Sequence, residues 1–352
     1  MRGSYGIYGR PIKLFEHYIK WQEHQLALME SGQLEEADSK ADFPEFLYGF
    51  ISLALWGGYN RVSAQYRKYT DTLSVKDFRE TRLRGLNQVR GIGYVGDHGE
   101  YPPMGRTERP PAGVTVDTYG GEYGITRQAI INDDTGQLLN NVPRDMGWAI
   151  SRFIGETVVA LIESNPTAPD GAVTYSVTRG NQVTTALSEA SLASAISFGE
   201  GQVDDDGNKI VVTYNRLVVK NTEMEMIARR IINSQFTGTT SPTTASAVFD
   251  KGTVNALNGV IPGDGIIREP WFNDVNDWYL FADPSEIPSF VVAFLNGREE
   301  PFIGLKNPEV RNAMGPGVDP YTFELDSVDF KVRHDFGVAV IDPRGTYRAV
   351  VA

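Results

Sequence analysis

The chain has 352 residues, 41% of them hydrophobic and 22% charged, a composition that excludes intrinsic disorder and allows at least one sizeable core. It has no cysteine, which removes disulfide frameworks, zinc–thiolate and iron–sulfur sites and cysteine nucleophiles. The net charge is −12, and its distribution is uneven: residues 1–75 carry 8 Lys and Arg against 9 Asp and Glu, residues 76–127 carry 8 against 7, and residues 128–352 carry 17 against 29. That balance argues against a sequence reader of nucleic acid, in which phosphate neutralisation supplies most of the affinity.

The N-terminus, Met1 to Tyr5, lacks the apolar core and cleavage site of a secretory signal, so the protein is expected to stay where it is made. Leu14, Phe15, Tyr18, Ile19, Leu26, Leu28 and Met29 recur at helical spacing and stop at Ser31-Gly32. After the polar run Gln33 to Asp42, a second helix is expected to begin near Asp42 and Pro44 and to continue past Gly57-Gly58 toward Tyr69. The apolar stretch Phe46 to Tyr59 is too short for a bilayer span and is read as a buried helix or a subunit contact.

From Gly91 to Gly124 the chain is rich in Gly, Pro and charge, including Pro102-Pro103 and Pro110-Pro111. Such a stretch cannot bury itself. The alternation of Val114 and Val116, followed by Tyr119 and Tyr123, predicts a long two-stranded excursion that is either disordered or supported by another chain. Ile125 to Ile131 is a strand or a short helix, and Asn132 to Gly136 is a turn. A long amphipathic helix follows, with Pro143 in its first turn and Met146, Ile150, Phe153, Ile154, Val158, Leu161 and Ile162 on its apolar stripe, ended by Asn165-Pro166.

Further helices are expected near Ser188 to Phe198 and from Thr222 to Asn233, with a turn at Asp204 to Asn208 and a strand from Ile210 to Val219 between them. Phe236 to Ala247 reads as an exposed loop. Strands are expected at Trp278 to Phe281, Phe290 to Leu295, Tyr321 to Leu325, Val328 to Val332, Val338 to Ile341 and Tyr347 to Val351. The class is α+β, without the strict strand–helix alternation of a doubly wound sheet.

No set of residues forms a recognisable catalytic or metal site. The Gly91-x-Gly93-x-x-Gly96 pattern has no strand before it and no helix after it, and a dinucleotide pyrophosphate needs that helix N-terminus. Asp335-Phe336-Gly337 stands without the other parts of a kinase and reads as the end of a strand. Asp204 to Asp206 lacks the downstream glutamate of a calcium loop. His17, His24, His98 and His334 show no ligand spacing.

Tyr119 to Asp134 followed by Val142 to Gly147 resembles the major capsid proteins of tailed phages of the Mu-type group. Phe78-Arg79-Glu80, Leu187 to Leu192, Trp278 to Pro284 and Lys331 to Gly337 are similar to that family in the same order, so that the resemblance runs from about Lys76 to the C-terminus. It implies the Hong Kong 97-type capsid fold: an N-terminal helical arm at 1–75, an E-loop region at 76–127, a peripheral domain with a spine helix at 128–190, an axial domain at 191–320, and return strands of the peripheral domain at 321–352. The arm resembles the family least. Two readings stand for it, a scaffolding-like segment removed on maturation and a permanent clamp on neighbours.

The function so implied is self-assembly, without enzymatic activity or cofactor, into hexamers and pentamers of an icosahedral head enclosing double-stranded DNA. Portal, scaffold and decoration proteins are the implied partners, and the virion, assembled in the host cytoplasm, is the implied location. E-loop lysines crosslink some shells of this fold, but this sequence has no lysine between Lys76 and Lys209. Glu100, Arg106, Glu108 and Arg109 are instead candidates for ion pairs between subunits. The alternatives are an encapsulin-like nanocompartment, a soluble hydrolase, and a peripheral membrane protein using Phe46 to Tyr59.

Overall fold

The computed structural model describes residues 52–60, 64–83, 92–95, 97, 99–126, 128–129, 132, 138–237, 253–306 and 326–351. The helix expected at Leu14 to Met29, most of the Ser/Thr-rich stretch and the strand expected at Tyr321 to Leu325 lie outside them. After a helical stretch at 52–59, the elements run β1 (Asp71–Val75), β2 (Thr81–Leu83), β3 (Ala112–Val114), β4 (Asp117–Thr126) and α1 (Leu138–Glu163). Then come β5 (Gln182–Val183), α2 (Glu189–Glu200), β6 (Tyr214–Val219), α3 (Thr222–Asn233), β7 (Phe236–Thr237), β8 (Thr253–Val254) and β9 (Ile266–Arg268). The last are β10 (Trp278–Ala282), β11 (Phe290–Leu295), β12 (Phe302–Leu305), β13 (Ser327–Val340) and β14 (Thr346–Ala349). The described residues fall into two compact units, one drawn from 1–63, 119–152 and 300–334, the other from 64–118, 153–299 and 335–352.

In the first unit, β12 pairs antiparallel with the first half of β13, Phe302 opposite Arg333 and Leu305 opposite Phe330. Leu55, Ile125, Ile303, Phe330 and Val332 form its core, with Val142, Met146 and Ile150 of α1 packed against them. Stretch 52–59 lies against α1 at backbone distance. A Cβ on Gly58 would stand 1.8 Å from the Arg144 carbonyl oxygen, and one on Gly147 would stand 2.1 Å from that of Leu55. Gly57-Gly58 therefore does not interrupt this helix, and Gly58 lets it approach its neighbour. Gly147→Ala is expected to destabilise this unit by about 1–3 kcal/mol, because two backbones must separate, and a lowered thermal midpoint would show it.

The expected continuation to Tyr69 does not occur: Ala64 is not helical, and Gln65–Lys68 is a separate 3-10 turn. The long helix also starts earlier than expected. Pro143 lies inside α1, which begins at Leu138, so its ring stands in the second turn and removes one backbone donor there.

The second unit is built on the sheet β5-β14-β10-β6-β9. β10 is antiparallel to both β14 and β6, and all five of its residues are buried. Its alternation divides the core. Trp278, Leu280 and Ala282 face Leu192 and Ala195 of α2 and Ala228 and Ile232 of α3. On the opposite face Phe281 stacks on Tyr69 at 5.0 Å and Tyr279 on Phe272 at 4.5 Å. The helices on the first face are fixed at their starts by side chains: Ser188 and Ser191 form a reciprocal capping box on α2, and Asn221 accepts the Met224 N–H at 2.8 Å on α3.

α1 ends at Glu163, and Asn165 takes a positive φ of 53° while its side chain bonds both the N–H and the carbonyl of Tyr175. That is the stop expected from Asn165-Pro166. In the same unit β1 runs parallel to β11, and β11 pairs antiparallel with the second half of β13.

Two strand expectations change. β13 is one strand of 14 residues through Arg333 to Gly337, so Asp335-Phe336-Gly337 is mid-strand and not a strand end. Gly337 is placed there because a Cβ would lie 1.8 Å from the Thr115 carbonyl oxygen. β6 begins at Tyr214, four residues later than expected, because Ile210 and Val212 send their N–H groups to the carbonyls of Gln202 and Gly199 instead of to a strand.

Candidate assembly interface

β2 and β3 pair antiparallel over three residues, Thr81 opposite Val114 and Leu83 opposite Ala112, and this short ladder is the base of the Gly/Pro-rich excursion. Among the described residues the expected two-stranded form is seen at this base. Val114 and Val116 close it by packing with Val75, Val291 and Ala293.

Residues 92–94, 97, 99–108, 110 and 111 are exposed, and among the described residues of the excursion only Val95 and Arg109 are even partly covered. Ile92 is 88% exposed, Tyr94 97%, Tyr101 87% and Met104 66%. Large apolar side chains are held in water by a segment whose prolines and glycines form no extended ladder.

Of the proposed ion-pair residues, Glu100, Arg106 and Glu108 are exposed on this excursion. Arg109 is engaged within its own chain. Its side chain is 12% exposed, its Nη1 donates to Asp342 Oδ2 at 2.6 Å, and its Nε lies 3.3 Å from Asp205 Oδ2 in its own unit. Burial pushes the Asp342 carboxyl up, but the hydrogen bonds and charge of Arg344, then the charge and hydrogen bonds of Arg109, hold it below the usual carboxylate range. Asp342 and Arg344 were missed in the sequence. The local signal was present, since Asp342 caps a turn with Pro343 at its first position and accepts the Arg344 N–H at 3.0 Å.

Other clusters in the same unit carry no chemistry of their own. The Asp204 carboxylate accepts the backbone N–H groups of Asp206 and Asn208 and the Asn208 side chain, and Gly207 has φ 82°, which is the expected hairpin turn. A shallow cleft of about 390 Å³ mixes Arg67, Lys68 and Arg216 with Asp71, Asp264 and Asp283, whose charges offset one another. Among the described residues no group of three or more His, Asp or Glu is placed to hold a metal, and no helix is long and apolar enough to cross a membrane.

The sequence profile of the family described as phage capsid protein matches residues 109–349. The chain belongs to the phage capsid protein family, and its class is α+β as expected. Similar solved structures include a chain of Mycobacterium phage Adephagia, 10% identical over 83% of this chain and 91% of that one, with a TM-score of 0.49. A virus-like particle from Pyrococcus furiosus is 13% identical over 86% and 98%, with a TM-score of 0.45. The procapsid of bacteriophage JBD30 is 13% identical over 88% and 76%, with a TM-score of 0.41. No curated protein matches the sequence.

Proposed function

We propose that this capsid protein is the major subunit of an icosahedral phage head, assembled from hexamers and pentamers around packaged double-stranded DNA. The observation that carries the reading, beyond the family, is the excursion with Ile92, Tyr94, Tyr101 and Met104 in water. Among the described residues these groups find no core, and a second copy of the same chain in a closed lattice offers every one of them the same partner. The excursion serves as the E-loop within region 76–127. Residues 1–75 serve as the arm, 128–190 with 321–352 as the peripheral domain, and 191–320 as the axial domain.

Glu100, Arg106 and Glu108 then stand at contacts between subunits, where charge complementarity fixes register more than affinity. The net charge of −12 suits a lumen that must let DNA move in and out without binding it tightly. A portal, and where needed a scaffold and decoration proteins, complete the particle, which forms in the host cytoplasm.

Expression of the full chain alone, followed by sedimentation and negative-stain microscopy, tests this reading. Shells or capsomer-sized rings support it, and a monomer at all concentrations counts against it. Particles carrying a protein cargo instead of DNA would favour a nanocompartment. Because no lysine lies between Lys76 and Lys209, mature particles boiled in detergent are expected to run as intact monomer on a denaturing gel. A covalent ladder through the excursion would contradict this.

A further inference from the structure

Arg109 stands where the excursion returns to the body of the second unit, and only Pro110 and Pro111 separate it from β3. Both prolines have a fixed φ, so an orientation set at Arg109 is passed on with little slack. The guanidinium is held from two sides. Asp342 takes Nη1 at 2.6 Å and Nη2 at 3.4 Å, and Asp205 lies 3.3 Å from Nε. Two residues earlier, the Thr107 hydroxyl donates to Asp206 of the same acidic turn.

Neither receiving surface depends on Arg109 to fold. Asp342 is already served within its own turn by Arg344, whose Nη2 donates at 2.8 Å and whose backbone N–H donates at 3.0 Å. The acidic turn is organised by Asp204, which bonds Asp206 and Asn208. What Arg109 and Thr107 add is the attachment of a projecting segment at a defined angle. A planar guanidinium held by one carboxylate and flanked by a second fixes direction as well as distance, and partial burial weakens screening by salt.

We infer that Arg109, clamped by Asp342 and Asp205, with Thr107 on Asp206, is a positioning residue that fixes the direction of the excursion before assembly, so that its apolar tip meets a second copy already oriented. The inference rests on the shell-subunit reading. Its benefit is the ordering entropy that a loose excursion would lose on docking.

The absence of cysteine allows a direct test, because two introduced cysteines are the only sites that a thiol-directed spin label can take. Gly105→Cys sits in open space, and Val211 is 67% exposed, so Val211→Cys gives the second site in the same unit. On the full chain kept dilute and unassembled, the distance distribution is expected to be narrow. With Arg109→Ala it should broaden by about twofold, with Arg109→Lys by less, because the charge survives without the fork. Particle yield of Arg109→Ala should fall by about tenfold at fixed concentration, while the thermal midpoint stays within about 4 °C, since Asp342 keeps Arg344.

Asp342→Asn is the second variant and should broaden the distribution as well. An unchanged distribution in both variants, a broadened one with wild-type particle yield, or unfolding of Arg109→Ala would each overturn the inference. The distance measurement is made on free subunits, so it stands or falls apart from assembly. If the unaltered chain never forms particles, the shell reading fails instead, whatever the labels report.

Discussion

Replacing Tyr94, Tyr101 and Met104 together with serine is expected to leave the subunit folded and to abolish particle formation. The three side chains are 97%, 87% and 66% exposed, so the folded subunit gains little from them. Surface changes of this kind usually alter stability by no more than about 0.5 kcal/mol each. Docked on a neighbour, each would bury most of its apolar area, worth about 1.5–3 kcal/mol apiece. A loss of about 5 kcal/mol per contact corresponds to more than about a thousandfold in pairwise dissociation constant, and every subunit of a closed shell repeats the loss. Sedimentation gives the particle yield, and a circular dichroism melt of the same sample gives the fold. Wild-type particles from the triple variant would show that the excursion does not carry the assembly contact.

The excursion was legible in the sequence because its composition alone forbids a core: prolines and glycines recur from Gly91 to Gly113 with few apolar neighbours. α3 was legible to the residue because a capping Asn221 and a sharp apolar stripe coincide at Thr222–Asn233. β10 and β11 were legible as unbroken apolar runs, the pattern of strands buried on both faces.

The misreadings have a common cause, which is that local pattern does not reveal what lies opposite. Ile210 and Val212 alternate with exposed neighbours as a strand would, but their backbone is bonded to the end of α2. Arg333 to Gly337 looked like a break because it is polar and ends in glycine, whereas it continues a strand with Phe336 wholly buried and Gly337 under a crossing backbone.

The clamp was the least legible part. Arg109 read as a candidate for an ion pair between subunits, and its partner Asp342 lies 233 residues away in the chain. Nothing within either segment announces the other. Charge pairing across such a distance is a property of the fold.

Glu269 follows β9, is 1% exposed and accepts a single side-chain hydrogen bond, from the Tyr69 hydroxyl at 3.0 Å. Burial dominates and pushes its carboxyl from the ordinary 4.5 up to about 7, against the opposing hydrogen bonds of Tyr69 and the Trp271 backbone. Tyr69 beside it is itself pushed up by burial, so it stays neutral while Glu269 titrates. The folded chain thus holds this proton more tightly than the unfolded chain. The resulting stabilisation is complete below about pH 4.5 and is lost as pH rises through about 7, an effect of about 3 kcal/mol. Asp342 has the opposite sign, since its lowered carboxyl costs stability only as pH falls through the acid range, and it does not oppose Glu269 between pH 5 and 8. Glu269→Gln keeps the shape and an acceptor for Tyr69 but has no proton to lose. It is expected to match the parent near pH 5 and to exceed its stability at pH 8 by up to about 3 kcal/mol in denaturant melts. A parent chain equally stable at both pH values would mean that water reaches this carboxylate, and that Tyr69 is held under β10 by its stacking on Phe281 alone.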